Sequence, residues 1–84
     1  MERQVGHVTH YFSHLGVAAV QVETEDLKLG DQIHIKGHTT DLIQPVDSLQ
    51  YEHGEIKEAH PGQSVGIRVK EHVREHDVVF KVAA

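Results

Sequence analysis

The feature that most constrains this chain is a repeat of two. Apolar and polar residues alternate over short runs, and almost no stretch carries the three-to-four spacing of an amphipathic helix. A period of two puts successive side chains on opposite faces of an extended backbone, so each run reads as a half-buried strand. Residues 64–70 are the clearest case, with Val65, Ile67 and Val69 on one face and Gly66, Arg68 and Lys70 on the other. Gln32–Lys36 repeats the pattern, Ile33 and Ile35 facing in and Gln32, His34 and Lys36 facing out. Runs at 5–12, 17–22, 41–52 and 78–82 complete six predicted strands, divided by Gly, Pro and charged turns.

Finer expectations come from the same alternation. In the first run Val8, His10 and Phe12 should share a face opposite Val5, His7, Thr9 and Tyr11. This run should form a hairpin with 17–22, whose Ala18, Val20 and Val22 face in and whose small Ala19 permits close approach. Leu27 and Leu29 are expected to tuck under the sheet, with Ile56 as a further anchor. Pro45 deletes a ladder donor from 41–52, and the shift of inward residues from Val46 to Leu49 and Tyr51 predicts a bulge near Asp47 and Ser48. Val78, Phe80 and Val82 are expected in the core, with Val79 and Lys81 outside. Gly66, outward in its strand, marks a place where another backbone approaches.

Strands with one apolar face and short links leave raw edges if the sheet stays flat. The predicted fold is therefore all-β, a small closed six-stranded antiparallel barrel of Greek-key type, with a two-sheet β-sandwich as the alternative. With 84 residues the chain makes one domain, 1–84. It has no cysteine, so neither disulfides nor a thiolate zinc site can reinforce a core made mainly of Val, Ile, Leu and Ala. Its longest apolar run, 16–20, is far below the roughly 20 residues that span a bilayer. No signal peptide is read at the start of the chain, which gives the expectations of a cytoplasmic protein and no membrane partner.

The residues for catalysis are missing. Ser13 and Ser48 lack a G-x-S-x-G setting, no thiol exists to be activated, and neither a G-x-x-x-x-G-K loop nor G-x-G-x-x-G is present. No enzyme activity, cofactor or nucleotide binding is expected. Glu23, Glu25, Asp26 and Asp31 read as a solvated charged loop. Nine histidines would reverse the sign of the formal charge of −5 on full protonation, which raises a metal-binding or pH-responsive protein as a further alternative. His7, His10, His14, His34, His38, His53, His60, His72 and His76 are dispersed, without the spacing of a metal site, so no metal is assigned.

Turn-forming motifs carry a family resemblance. Val5-Gly6-His7-Val8 looks like an opening G-x-V strand. Leu27-Lys28-Leu29-Gly30-Asp31-Gln32-Ile33 resembles L-K-x-G-D-x-[VIL]. Glu58-Ala59-His60-Pro61-Gly62-Gln63-Ser64-Val65-Gly66-Ile67 resembles A-x-x-G-[DEQ]-x-[VA]-G-[IL], and Val73-Arg74-Glu75-His76-Asp77-Val78-Val79 resembles [IV]-x-x-G-D-V-[LI] with His76 in place of glycine. In this order the motifs resemble the β-barrel second domain of translational GTPases such as elongation factors Tu and G and initiation factor two, over residues 5–82. The resemblance gives Gly6, Gly30, Asp31, Gly62, Gly66 and Asp77 turn and close-packing roles. It implies a non-catalytic binding module contacting RNA or the ribosome, without GTPase activity because the GTP-binding domain is absent. His34, Lys36, Arg68, Lys70 and Arg74 are the contact candidates on their outward faces. A less close resemblance, to accessory C-terminal domains of collagenase-like peptidases, implies a protein-interaction module instead. A partner protein would then meet exposed residues such as Tyr11 and Val79.

Overall fold

Alternation yields ten strands rather than six: β1 (Glu2–Phe12), β2 (Val17–Val22), β3 (Leu27–Lys28), β4 (Gln32–Lys36), β5 (Asp41–Pro45), β6 (Gln50–Tyr51), β7 (Gly54–Glu55), β8 (Glu58–Ala59), β9 (Ser64–Arg68) and β10 (Val78–Val82). The computed structural model describes residues 2–82, so both ends of the unit 1–84 read from the sequence lie outside the described residues. Eight strands form one antiparallel sheet in the order β5-β4-β10-β1-β2-β9-β6-β7, and β3 pairs with β8 as a separate ribbon. The all-β, antiparallel reading stands. The predicted six-strand closed barrel does not, because no ladder joins β5 to the far side of the sheet among the described residues.

A side chain spans that seam. Gln44, 2% exposed on β5, accepts a bond from the Lys70 backbone N–H at 2.9 Å and donates to the Arg68 carbonyl at 2.9 Å. Its amide offers the donor and acceptor that a strand neighbour would offer, so the backbone at the end of β9 is satisfied without a ladder. Backbone bonds from Gly30 to the Val46 carbonyl and from Val46 to the Asp31 carbonyl tie the ribbon to the sheet margin.

The core lies inside this curled sheet. Val20, Val22, Ile33, Ile35, Val65 and Ile67 are buried as the alternation predicts, joined by Leu27, Val46, Leu49 and Ala59. Two expectations reverse. β1 carries irregularities between Gln4 and Gly6 and between Val8 and His10, and each extra residue shifts the parity of the next stretch of strand. Val5 and Val8 are therefore both buried and Tyr11 packs against the core, while Phe12 is 45% exposed. In β10 it is Val79 that is fully buried, with Val78, Phe80 and Val82 only partly covered. Its register, Val79 opposite Ile35 and Gly6, aligns it with the inward set of its neighbours. Leu29 is 42% exposed, unlike Leu27, and the expected long strand 41–52 instead breaks after Pro45 into β5 and the short β6.

Three tight turns share one construction. Asp31 accepts the Lys28 N–H at 2.8 Å, Asp77 accepts the Arg74 N–H at 2.8 Å, and the Gln63 side chain accepts the His60 N–H at 2.7 Å. In each, the backbone N–H of that fourth residue returns to the carbonyl of the first. The third position has positive φ: +91° at Gly30, +95° at Gly62 and +74° at His76. A positive φ at the third residue of a four-residue turn is the mark of the type II class, which favours glycine at that place. His76 holds the same conformation with a side chain attached.

Candidate interaction groove

The sheet positions the contact candidates in two separate settings. Arg68 and Lys70 flank the Gln44 seam, whereas Lys36 lies at the far end of β4, opposite Asp41 and Val78. Arg74 donates from Nε to the Thr39 hydroxyl at 2.8 Å, next to that end of β4. Along the ladders β10, β1 and β2 lie between β4 and β9, across the seam only β5 does, and no side-chain hydrogen bond or ion pair among the described residues gathers these cations.

His34 is not available as a free cation. It is 8% exposed, and its Nδ1 lies 2.7 Å from Glu2 while its Nε2 lies 2.5 Å from Asp41. Both ring nitrogens can donate at once only when the imidazole is protonated. The bond to Asp41 is the main influence raising its pKa above the ordinary value near 6.5, with Glu2 adding to it and burial opposing. The carboxylates sit on opposite sides of the ring and so cannot converge on one ion. Among the described residues no group of three or more His, Asp or Glu is arranged to hold a metal.

Other carboxylates are also engaged. Glu25 takes a two-pronged bond from Arg3 at 2.9 Å, Glu23 meets His7 at 3.0 Å, Asp26 meets His60 at 2.9 Å, and Asp31 meets Lys81 at 3.2 Å. The loop expected to be merely solvated is a set of cross-strand ion pairs. Asp26 is the leading cause of a raised pKa at the exposed His60.

The opposite arrangement occurs on the outer face of β2, β9 and β6. Ala19 and Gly66 are register partners there, so the two smallest outward residues stand side by side and leave a furrow. Phe12, Leu15 and Val17 wall one side of it, and Gln50, Glu52, His53 and Ser64 contribute to the other; its volume is about 310 Å³. Leu15, at the tip of the β1–β2 hairpin, is 67% exposed. A Cβ on Gly66 would come within 3.2 Å of Val17 Cγ1, so any larger residue starts to fill the furrow.

Strain marks the far rim. Glu52 and His53 connect β6 to β7 with φ of +49° and +67°. Two consecutive positive φ values make a type I′ hairpin turn, in which Asn-Gly is the preferred pair. Non-glycine residues held this way cluster where function requires them. Among the described residues, no hydrogen bond or ion pair engages the Gln50, Glu52 or His53 side chains. The alternation supplied Ala19 and Gly66 as small outward residues, yet only strand register shows that they lie opposite one another.

No family model matches the chain. The chain is 42% identical over 78 residues to a collagenase of Porphyromonas gingivalis, covering 92% of this chain and 22% of that protein. An uncharacterised protease of Methanocaldococcus jannaschii is 35% identical over 78 residues, and 19% of its length is covered. The chain thus spans about a fifth of the length of the curated relatives it matches. The crystal structure of the C-terminal domain of a Geobacillus thermoleovorans protein assigned to the U32 peptidases superposes with a TM-score of 0.88 at 26% identity. That match covers 95% of this chain and 92% of the solved one.

These relatives overturn the translation-factor resemblance, and with it the RNA and ribosome reading. The similarity runs to the C-terminal domain of a peptidase-type protein. The misleading motifs have a physical basis: L-K-x-G-D, H-P-G-Q and R-E-H-D are the three turns of shared construction described above. Such turns record what a tightly curled sheet needs at its corners, without fixing lineage.

Proposed function

We propose that this chain is a non-catalytic accessory domain of a U32-type protease, acting by contact with the rest of such a protein or with what that protein handles. The single observation that carries this reading is the match to a solved C-terminal domain over nearly its whole length. The chemistry agrees. Among the described residues, carboxylates at the strand margins pair with Arg3, Lys81, His7, His34 and His60, and the furrow on the outer face of β2, β9 and β6 is open and apolar-walled. The curled sheet is fastened along its open margin by Gln44.

The test is an exchange. The 78 matching residues of the Porphyromonas gingivalis collagenase are replaced by this chain, and gelatin hydrolysis by the chimera is compared with the parent and with the isolated 84-residue chain. The reading expects a folded, active chimera and no turnover by the chain alone. Turnover by the chain alone, or a folded chimera without activity, would overturn it.

A further inference from the structure

We infer that the Ala19–Gly66 furrow is a docking slot for an extended peptide segment that pairs an aromatic or aliphatic side chain with a neighbouring Lys or Arg, the segment belonging to the larger protease polypeptide. The inference deepens the accessory-domain reading and rests on it.

Shape comes first. An outward Ala opposite an outward Gly removes side-chain bulk from two adjacent strands at one level of the sheet, leaving a floor of backbone. Phe12, 45% exposed, and Leu15, 67% exposed, stand beside that floor with Val17. About 310 Å³ is at the lower limit of ligand sites and fits one or two side chains from an extended strand.

Charge complementarity selects the partner. The domain's formal charge is −5. Most carboxylates near its strands already meet an Arg, Lys or His, as Glu2, Glu23, Glu25, Asp26 and Asp31 do. Glu52 is at the furrow rim with no ion-pair partner among the described residues, held there by a backbone conformation its side chain disfavours. A cation entering beside the apolar wall would give the exposed Glu52 a partner, and such a rim charge selects the partner more than it adds affinity. Ser64 and Gln50 supply polar groups that can bond a peptide backbone. The chain corresponds to about a fifth of each curated relative, so most of such a polypeptide lies outside the domain and can supply the segment.

The experiment uses the complete 84-residue chain against an array of overlapping synthetic peptides covering the part of the Porphyromonas gingivalis collagenase outside the matching 78 residues. Bound peptides are expected to share an apolar–basic pair. Leu15→Ser is expected to weaken them at least about tenfold, as for a hot-spot contact. Glu52→Lys should abolish preference for the basic residue, and peptides with that residue changed to Glu should recover binding to Glu52→Lys alone. A merely structural role for Glu52 would give no such charge-swap rescue. Absence of any bound peptide, binding that survives Leu15→Ser and Phe12→Ser, or a furrow that instead mediates a dimer abolished by Leu15→Ser would each overturn the proposal. The accessory-domain reading is decided separately by the collagenase chimera, so the two can fail independently.

Discussion

The surface formed by β1, β10 and β4 and the surface formed by β2, β9 and β6 come from one alternating pattern, yet they treat their polar side chains in opposite ways. On the first, His34 is gripped by Glu2 and Asp41, which brings together the start of β1, β4 and β5. On the second, Ala19 and Gly66 open a furrow whose rim residues Glu52 and His53 have no internal partner among the described residues. One surface commits its charges to holding strands together. The other keeps its polar groups available and tolerates backbone strain. Where a small domain leaves charge unpaired and φ unfavourable beside exposed apolar side chains, stability alone does not explain the choice of residues.

Removing the grip should have the largest effect. His34→Ala is expected to destabilise the domain by about 1–2 kcal/mol, below the figure for a fully buried charge pair because surface groups are screened. Asp41 is indeed 72% exposed. Urea unfolding at pH 6 measures this, and an unchanged midpoint would show that the two surfaces do not differ as described.

A change of pH probes the same contrast without mutation. The folded pKa of His34 is raised above 6.5, so the native state holds its proton more tightly than the unfolded chain. The stabilisation from the grip is complete below pH 6.5 and is lost as pH rises through the raised folded value. Melting temperature should therefore fall as pH rises across that window, and His34→Gln should flatten that part of the profile. A wild-type profile that climbs instead would contradict the charge assignment.

The furrow should answer in the reverse sense. His53→Gly relieves a positive φ and is expected to stabilise by about 0.5–1 kcal/mol, as glycine does at such positions. Thermal unfolding reads the gain directly, and a loss would mean that the ring makes contacts worth more than the strain. The smallest effect belongs to Leu15→Ser. Stability should stay within about 0.5 kcal/mol of wild type, as for an exposed side chain without structural partners, so that any binding defect of this variant is separable from misfolding.

Much of the inward-facing set was legible because burial tracks alternation wherever a strand is regular. Ile33, Ile35, Val65 and Ile67 illustrate this. Legibility ended where a residue was inserted into a ladder. The irregularities of β1 bury both Val5 and Val8 and release Phe12, and nothing in the neighbouring residues marks where such an insertion falls. Gln44 was hidden for a different reason: it shares the inward parity of Leu42 and Val46, but a polar amide there gives no core signal until another backbone arrives to meet it. The furrow was half visible, since Ala19 and Gly66 stand out as small residues, but their pairing depends on the offset between strands distant in sequence. His34, read as a contact candidate, is instead enclosed by carboxylates that lie 32 and 7 positions away.

The Gln44 bridge has a kinetic corollary. A seam fastened by side chains, the Gln44 amide and the Ser48 hydroxyl that accepts the Arg68 N–H at 3.4 Å, can breathe while the ladders of β1, β2 and β10 stay zipped, so amide-proton exchange at Lys70 should outpace exchange at Val8 or Val20. Cleft motion would then concentrate along one meridian of the domain, leaving the opposite wall as a stiff spine.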